Sequence, residues 1–309
     1  MSTVSQKFPP TTIDKMQDYY QAYLVQPVQY SQFRAKVNQI TITAYTSGKV
    51  VFQGHGAEEE AQPWLSQALE APKSKQSQVS NSDLPDNLSQ LNLIGSDEVG
   101  NGSYFGPLTI CAVYLNQEIV PLAQELGARD SKQLTDAAIS KIAPDLMVSL
   151  PYHLTIINPV KYNQLTKNYN ANAIKAKTHH YTIHQLLTKL DKQSAPLDGI
   201  LIDQFADKKT FYSYLNPKDP RFDGPVYFAQ KAESLHLAVA SASIIARYAF
   251  LQGLEKLGQA YQTVLPSGAG PDVDRFAARL IDRFGRESLN QTAKLHFANT
   301  QKALKISKN

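Results

Sequence analysis

Two adjacent carboxylates, Asp97 and Glu98, end a hydrophobic stretch of the sequence and are followed directly by glycine-rich residues. Two more carboxylates occupy similar positions. Asp203 ends the apolar run GILID, and Glu233 begins the long apolar segment KAESLHLAVASASIIARY. Carboxylates at the ends of several strands of one sheet repel one another unless cations lie between them, and hard oxygen ligands favour magnesium or manganese over zinc. The four residues therefore predict a divalent-cation site, which suits phosphodiester hydrolysis by two metal ions.

Each of these carboxylates also has an ordinary structural explanation. Glu233 could stabilise the first turn of its helix, Asp203 could form a turn after its strand, and the adjacent pair could be a solvated turn. Consecutive side chains of a strand point to opposite faces, so the pair can serve one site only if the strand gives way between Ser96 and Gly100. Each explanation suffices for one residue, but the four carboxylates together favour a site.

The glycines at positions 100, 102 and 106 also suggest a dinucleotide-binding loop. Their order is GxGxxxG rather than GxGxxG, and a lone glycine pattern is a weak signal. Two anionic carboxylates precede the loop, where a pyrophosphate would need hydrogen-bond donors. The sequence therefore disfavours a dinucleotide site.

The pattern of apolar residues divides the chain into two regions. In the first, spacings of three and four predict helices over 13–24 and 57–69, around a hairpin of period two over 33–52. Residues 73–90 contain five serines and no aromatic residue, so we expect a linker there, with a surface loop as the alternative.

From residue 91 onward, strands and helices alternate. The predicted strands are 91–97, 107–115, 151–157, 199–205 and 225–230, and the predicted helices are 171–190, 232–254, 272–284 and 294–304. This alternation predicts an α/β domain with a mixed sheet.

The composition excludes several classes of protein. The 309 residues include one cysteine, Cys111, so no intramolecular disulfide can form and a cytoplasmic location is expected. The N-terminus lacks the apolar core of a signal peptide, and no window approaches 18 uninterrupted apolar residues, so secretion and membrane association are disfavoured. The net charge of +4 is too small to identify a nucleic-acid partner by itself. No feature predicts an obligate interface, so we expect a monomer.

Four segments together resemble ribonuclease HIII, the bacterial type 2 ribonuclease H family. They are GSDEVGNGSYFGP, the DSKQL segment at 130–134, LIDQF and KAESLHLAVASASIIARY, in the family's order. The resemblance implies an α/β fold: a ribonuclease H-like catalytic domain over 91–309, with a mixed central sheet flanked by helices. A small α+β domain similar to the TATA-box-binding protein would precede it over 1–72, joined by the linker at 73–90.

The resemblance also implies an activity. The protein would be an endonuclease that cuts the RNA strand of an RNA/DNA hybrid, with two Mg²⁺ or Mn²⁺ ions per active site, and leaves 5′-phosphate and 3′-hydroxyl ends. Asp97, Glu98, Asp203 and Glu233 match the family's catalytic, metal-binding carboxylates. Asp207, four residues after Asp203, is a weaker candidate for the third position.

Two positions distinguish the chain from the sister family, ribonuclease HII. That family has Gly-Arg-Gly where this chain has Gly100, Asn101 and Gly102, and its fourth carboxylate is usually aspartate rather than the Glu233 found here. The arginine reads the junction between RNA and DNA in that family. We therefore predict poor cleavage at a single ribonucleotide embedded in DNA.

Several residues are candidates for binding the substrate. The backbone of Gly100, Asn101 and Gly102 can approach a sugar closely, because two of the three residues lack a Cβ. Lys132 is a candidate phosphate contact, with an ordinary exposed lysine as the alternative. In the first region, Tyr45 belongs to a polar sheet face with Gln39, Thr41 and Thr43, while Ile40 and Ile42 face the helices. By resemblance this face grips the hybrid; a protein-docking module is the alternative.

Two further groups of residues are less specific. The basic stretch of Lys161, Lys167, Lys175 and Lys177 could line the hybrid or form a solvated helix face. His179, His180 and His184 lack a carboxylate or cysteine at ligand spacing, so a surface helix is favoured over a zinc site.

Two alternatives to the hybrid endonuclease stay open from the sequence. One is a ribonuclease HII-like enzyme that cuts at RNA–DNA junctions, which Asn101 disfavours. The other is a nucleic-acid-binding protein without catalysis, which is disfavoured because burying four carboxylates without metal costs free energy and does not help to bind a polyanion.

Overall fold

The computed structural model of the chain describes residues 2–28, 31–68, 84–191 and 195–307. The chain divides into two compact units, Met1–Ser80 and Asn81–Asn309, each with its own buried hydrophobic clusters. Most of the range predicted as a linker, residues 73–83, lies outside the described residues. The rest of that range belongs to the second unit, where Leu88 is buried against Leu93 and Val239.

The first unit is an antiparallel sheet with two helices packed on one of its faces. Its strands are β1 (Ser2–Lys7), β2 (Ser31–Val37), β3 (Ile40–Tyr45) and β4 (Lys49–Gly54), in the order β1-β4-β3-β2. Its helices are α1 (Pro10–Tyr19) and α2 (Ala57–Leu65). Strand β1 was not predicted, because its residues STVSQK include a single apolar side chain and give no hydrophobic alternation.

The alternation predicted for β3 is present. Ile40 and Ile42 are buried in the core of the first unit with Ile13 and Met16 of α1. The opposite face carries the polar side chains of β3, of which Thr41 and Tyr45 are half-buried and Thr43 is buried. Gln39 departs from the prediction, because it lies in the turn before the strand. Helix α1 ends earlier than predicted, and residues Gln21–Tyr23 form a 3-10 helix.

The second unit has a five-stranded mixed sheet, as predicted. Its strands are β5 (Leu93–Val99), β6 (Leu108–Leu115), β7 (Tyr152–Ile157), β8 (Gly199–Asp203) and β9 (Val226–Ala229). The order is β7-β6-β5-β8-β9, in which β5 pairs antiparallel with β6 and parallel with β8. The carboxyl ends of β5 and β8 therefore lie at the same edge of the sheet.

The helices of the second unit surround this sheet. They are α3 (Val120–Glu125), α4 (Asp136–Ser149), α5 (Pro159–Leu165), α6 (Ala171–Asp191), α7 (Lys208–Ser213), α8 (Leu237–Gln259), α9 (Pro271–Phe284), α10 (Glu287–Thr292) and α11 (Ala298–Ile306). The helix predicted over 232–254 is in fact a 3-10 helix, Ala232–Ser234, followed by α8. The helix predicted over 294–304 begins only at Ala298.

Helices α6 and α8 pack on β5 from opposite faces. Ala176 and Ile183 of α6 share a buried cluster with Ile94. On the other face, a Cβ at Gly95 would lie 2.3 Å from the backbone nitrogen of Val239, so only glycine permits the close approach of α8. Helix α8 is long and apolar enough to cross a membrane. However, 67% of its most apolar stretch is buried inside the unit, and a buried core helix can have the same length and hydropathy.

Candidate active site

Three of the four predicted carboxylates lie at the carboxyl ends of β5 and β8, and the charge of the fourth, Glu233, acts on Asp203. Asp97 and Glu98 are the fifth and sixth residues of β5, Asp203 is the last residue of β8, and Glu233 lies in the 3-10 helix before α8. The parallel pairing of β5 with β8 ends at Ser96, so the backbone edge of the next two residues is not paired with β8. The fold thus brings together carboxylates that are more than a hundred residues apart in the chain.

Asp97 lies on the α8 face of the sheet and is 9% exposed. Its Oδ1 accepts a hydrogen bond from the backbone N–H of Glu98, at 2.7 Å. Burial raises the pKa of Asp97 well above its usual value, and the negative charges of Glu98 and Asp203 raise it further. Asp97 is therefore a carboxylate whose ionised form needs a positive neighbour.

Glu98 lies on the opposite face, toward α6. Lys175 Nζ is 3.1 Å from Glu98 Oε1, and His179 Nε2 is 3.0 Å from Glu98 Oε2. Burial by itself raises the pKa of Glu98, but the hydrogen bond from His179 and the ammonium of Lys175 outweigh it and lower the pKa below its usual value. Glu98 is therefore held in its ionised form.

A break in the strand was the condition under which this pair could serve one site, but β5 stays regular at both residues. Strand β5 stays paired with β6 through Val99, and the two carboxylates point to opposite faces as in any regular strand. They still act on one another, because the charge of Glu98 raises the pKa of Asp97. Because the pairing of β5 with β8 ends at Ser96, side chains from both faces of β5 contribute to one cluster of negative charge.

The residues that hold Glu98 form a buried network that the sequence did not reveal. His179 Nδ1 lies 2.7 Å from Ser96 Oγ, which donates a hydrogen bond to the carbonyl of Cys111. The ring of His179 stacks on Phe205 at 5.4 Å, and Lys175 Nζ lies 4.1 Å from the centroid of the same ring. The prediction of a surface helix is therefore wrong for His179, and of the two possibilities for Lys175 the solvated helix face is excluded, because both side chains are buried on Glu98.

The other residues of these two groups have different surroundings. His180 Nε2 and His184 Nε2 lie 2.8 and 3.2 Å from the same carbonyl oxygen, that of Pro220. Lys177 Nζ lies 5.1 Å from the ring centroid of Tyr169. Lys161 and Lys167 are exposed.

Asp203 and its alternative, Asp207, have distinct roles. Asp203 Oδ1 accepts a hydrogen bond from the backbone N–H of Ala232, at 2.8 Å. Burial raises its pKa, this hydrogen bond opposes the rise, and the charge of Glu98 adds to it. Asp207 is 2.9 Å from the backbone nitrogen of Thr210 and caps α7, which accounts for it as a structural residue.

Glu233 is 6% exposed and has both carboxylate oxygens engaged. Ser131 Oγ donates to Glu233 Oε2 at 2.7 Å, and the ammonium of Lys132 forms an ion pair with Oε1. Burial raises the pKa of Glu233, but the hydrogen bonds from Lys132 and Ser131 outweigh burial and lower it. Lys132, the predicted phosphate contact, is thus a partner of the fourth carboxylate.

The segment that carries Ser131 and Lys132 is fixed by α8. Arg247 donates to the carbonyl of Ser131 at 3.2 Å and, through Nε, to Asp136 Oδ1 at 2.9 Å. Ser243 Oγ lies 2.9 Å from Ser131 Oγ. Arg247 and Ser243 are therefore indirect supports of Glu233; both belong to the segment KAESLHLAVASASIIARY, but no role was predicted for either.

The glycine-rich loop after β5 contains two glycines with different surroundings: close packing allows no side chain at Gly100, whereas Gly102 has open space beside it. Gly100 has φ +95°, and a Cβ there would lie 2.2 Å from the carbonyl oxygen of Pro107. A Cβ at Gly102 would meet nothing within 4 Å, and Asn101 is exposed. A sugar can therefore approach the backbone at Asn101 and Gly102.

Beneath this loop lies the fully buried Lys294. Its Nζ donates to the carbonyl of Gly106 at 2.6 Å, and burial lowers its pKa to about 7. The backbone N–H of Lys294 also donates to the carbonyl of Tyr104, at 2.8 Å. These bonds hold the end of the loop in place.

Tyr45 lies in the first unit, whereas the four carboxylates lie in the second. Its side chain is half-buried on the polar sheet face, next to β2, where it pairs with Ser31. The structure therefore divides the predicted binding residues between the two units.

The carboxylate cluster has the composition of a divalent-cation site. Four oxygen-donor side chains gather at one sheet edge, and two of them, Asp97 and Asp203, have raised pKa values partly because other carboxylates are near. Throughout the described ranges, no three His, Cys, Asp or Glu side chains lie close enough to hold a metal ion in the present arrangement. Two of the four, Glu98 and Glu233, have their oxygens engaged with lysine partners. The donor set and its uncompensated charge fit a hard cation.

Comparisons with known proteins agree with this composition. Residues 94–300 match the family model of ribonuclease HII, and residues 3–77 match a domain of unknown function, DUF3378. A ribonuclease HIII of Bacillus licheniformis is 45% identical over 307 residues, 97% of each chain. One of Listeria monocytogenes is 46% identical over 279 residues, 89% of each chain. Among solved structures, Bst-RNase HIII in complex with Mn²⁺ is similar, with a TM-score of 0.69 and 38% identity over 99% of both chains.

Proposed function

The chain belongs to the ribonuclease HIII family, and on this premise we propose that it is a metal-dependent endonuclease that hydrolyses the RNA strand of RNA/DNA hybrids. The observation that carries the proposal is the cluster of Asp97, Glu98, Asp203 and Glu233 at one edge of the sheet. A site with this charge binds a polyanion only when cations are present. The solved Mn²⁺ complex of a family member supports the same requirement.

The proposed metal ligands are these four carboxylates, with Mg²⁺ or Mn²⁺ as the cation. Two divalent cations, when bound, supply a nucleophilic water of lowered pKa and stabilise the leaving oxygen. The proposed products carry 5′-phosphate and 3′-hydroxyl ends.

The contribution of the chain is to hold the ligands in position and in the right charge state. Lys175 and His179 keep Glu98 ionised and fix both of its oxygens. The backbone hydrogen bonds to Asp97 and Asp203 fix one oxygen of each, and Ser243 also hydrogen-bonds to Asp97. Such supporting contacts orient metal ligands and are often as sensitive to mutation as the ligands themselves.

Recognition of the RNA strand is assigned to the glycine-rich loop. The space beside Gly102 and the exposed backbone at Asn101 allow a ribose to approach, so that backbone groups can sense its 2′-hydroxyl. Asn101 stands where ribonuclease HII has arginine, which supports weak activity at an isolated ribonucleotide. Asn101→Arg should therefore increase cleavage at a single embedded ribonucleotide relative to cleavage of a hybrid.

The first unit is proposed to bind the hybrid through the open face of its sheet. Strand pairing places Lys36, Thr41 and Gln53 in one row across that face, and Arg34 with Thr43 in the next. None of the four strands contains an aspartate or glutamate. Hydroxyl groups and cations on an exposed sheet suit contacts to sugars and phosphates.

The opposite side of the first unit has the reverse charge. Helix α2 carries three consecutive glutamates in its first turn, and α1 contributes Asp14 and Asp18. A polyanion is therefore attracted to the sheet face and repelled from the helices. This polarity favours nucleic acid over the alternative of a protein-docking module.

We further propose a cytoplasmic monomer. The single cysteine, Cys111, is buried, and burial raises its pKa well above the usual value, so the thiol is unreactive and suits a reducing compartment.

One assay separates the proposed function from its alternatives. Purified protein is incubated with a labelled RNA/DNA hybrid, a DNA duplex containing one ribonucleotide, and duplex RNA, each with Mg²⁺, Mn²⁺ or chelator. We expect cleavage of the hybrid alone, with no cleavage in chelator. Efficient cleavage at the single ribonucleotide would instead indicate a junction enzyme, and binding without cleavage a non-catalytic protein.

Two variants serve as matched controls in the same assay. Asp97→Asn keeps the size and the hydrogen-bond acceptor of the side chain but removes its charge, so it should abolish cleavage. Asp223→Asn removes an exposed carboxylate of the same unit and should cleave like the wild type. Intact cleavage by Asp97→Asn would show that the site is wrongly assigned.

A further inference from the structure

Two lysines neutralise two glutamates of the site, but their surroundings differ greatly. The side chain of Lys175 is 5% exposed and lies under the ring of Phe205, so its pair with Glu98 is enclosed. The side chain of Lys132 is 68% exposed, although its partner Glu233 is buried. The second pair is therefore open to solvent on the side of the cation.

Glu233 depends on that exposed cation. Of its contacts within the described part of the chain, Ser131 is neutral, and Lys132 is the cation in direct contact. A buried carboxylate is costly without a positive partner. Whatever removes the ammonium of Lys132 must leave Glu233 in need of another cation.

The backbone under Lys132 is fixed, whereas its side chain is largely exposed to solvent. Residue Asp130 caps the 3-10 helix Ser131–Gln133, and Arg247 holds the carbonyl of Ser131. The hydroxyl of Ser131 can therefore keep its bond to Glu233 Oε2 while the neighbouring lysine turns away. No rearrangement of the fold is required for the exchange.

We propose that Lys132 is an exchangeable counter-ion of Glu233. In the free protein its ammonium neutralises the carboxylate; in the complex a phosphate of the substrate takes the ammonium, and a divalent cation takes its place on Glu233. Lys132 is in this sense a positioning residue, because it acts on the metal site through Glu233. The inference rests on the proposed function and links substrate binding to binding of the cation at the fourth carboxylate.

The exchange predicts an unusual effect of removing a basic residue. Lys132→Met keeps much of the side-chain length without the charge, so it should bind Mn²⁺ in the absence of nucleic acid roughly three- to tenfold more tightly than the wild type, in line with the strength of a hydrogen bond or ion pair to a carboxylate. Lys132→Arg keeps the charge and should match the wild type. The measurement is a titration with Mn²⁺ alone, in which electron paramagnetic resonance reports the free ion.

Two controls separate exchange from a general change in charge. Lys141→Met removes an exposed lysine of α4 and should leave Mn²⁺ affinity unchanged. In a Glu233→Gln background, Lys132→Met should have no further effect, because the exchange needs the carboxylate. Unchanged or weaker Mn²⁺ binding by Lys132→Met, or an equal gain in the Glu233→Gln background, would overturn the proposal.

Failure of this inference is distinguishable from failure of the proposed function. If the wild type cleaves the hybrid but Lys132→Met does not gain Mn²⁺ affinity, the exchange is wrong and the enzyme assignment stands. If Asp97→Asn neither weakens Mn²⁺ binding nor reduces hybrid cleavage, the carboxylate site itself is wrong.

Discussion

The two units of the protein use a sheet in opposite ways. Within the described residues of the first unit, the sheet face opposite the helices, here called the open face, carries hydroxyls, amides and cations, and none of the four strands contains a carboxylate. The second unit covers both faces of its sheet with helices and gathers four carboxylates at one edge. An open basic face can bind a polyanion directly, whereas an acidic edge can do so only through cations. On the proposed function, the first unit supplies affinity for the hybrid and the second supplies the chemistry.

The largest expected effect tests the acidic edge. Asp203→Asn keeps the acceptor for the N–H of Ala232 but removes one negative charge from the cluster. We expect hybrid cleavage to fall by at least about a thousandfold, because metal-dependent hydrolysis needs the charged ligand. Initial rates at saturating hybrid and Mg²⁺ measure this, and hybrid affinity should stay within a few-fold of the wild type. Parallel loss of affinity would mean that chemistry and binding are not divided between the units.

The second effect tests the open face. Deletion of residues 1–80 removes the first unit at the boundary between the two compact units and keeps Leu88, which packs on the second. We expect the KM for a hybrid to rise roughly 10- to 100-fold with little change in kcat, since the electrostatic contacts of one face are lost. Steady-state kinetics measures both constants, and circular dichroism checks that the remaining unit is folded. An unchanged KM would contradict the assignment of affinity to the first unit.

The third effect concerns the thermal stability of the metal-free protein and tests the mutual repulsion of the carboxylates at the acidic edge. Because the pKa of Asp97 is raised, the folded state holds the proton of this carboxyl more tightly than the unfolded chain does. The free energy of unfolding therefore falls as the pH rises through the pKa of Asp97 in the folded state, and the whole decrease is present above that pKa. Asp97→Asn should therefore raise the Tm of the metal-free protein at neutral pH, by about 2 to 4 °C for each kcal/mol relieved.

Thermal unfolding in chelator measures this change. The gain in Tm should shrink as the pH is lowered, because the wild-type carboxyl then becomes protonated. Asp223→Asn, at an exposed position, should leave the Tm unchanged at every pH. A lower Tm for Asp97→Asn at neutral pH would show that the carboxylates of the acidic edge are not under mutual repulsion.

The smallest expected effects distinguish hydroxyl from cation on the open face. Tyr45→Phe removes one hydroxyl and should raise the KM about two- to fivefold without changing its dependence on salt. Lys36→Gln should weaken binding and reduce the slope of log affinity against log salt by about one, as for the loss of one phosphate contact. Binding measured by anisotropy at several salt concentrations gives both numbers. Equal salt slopes for the two variants would mean that Lys36 does not contact the backbone of the hybrid.

Much of the fold follows from local patterns in the sequence. The period of two in β3 predicts which side of the strand is buried: Ile42 is buried and Tyr45 is not, although Thr43, next to Ile42, is buried too. The mixed sheet of the second unit follows from alternating apolar runs. Strand β1 could not be found in this way, because it is an edge strand whose pairing with β4 depends on backbone hydrogen bonds rather than on its side chains.

The supports of the carboxylates could not be predicted in the same way. Lys175 and His179 look like residues of a solvated helix, and their partner Glu98 lies 81 residues from His179 in the chain. Arg247 and Ser131 are 116 residues apart. Neither spacing nor residue type indicates that such distant side chains meet, since helical periodicity describes only one helix at a time.

The sequence by itself determined the kind of chemistry, because four carboxylates each stand next to an apolar run that must form a buried element. Only the tertiary structure decided how those carboxylates are held. It placed Asp97 and Glu98 on opposite faces of an unbroken strand, ended the pairing with β8 just before them, and put a buried lysine on one glutamate and an exposed lysine on the other. The physical reason is that residue type fixes the charge a side chain can carry, whereas pairing and burial fix which charges meet and how readily they can part.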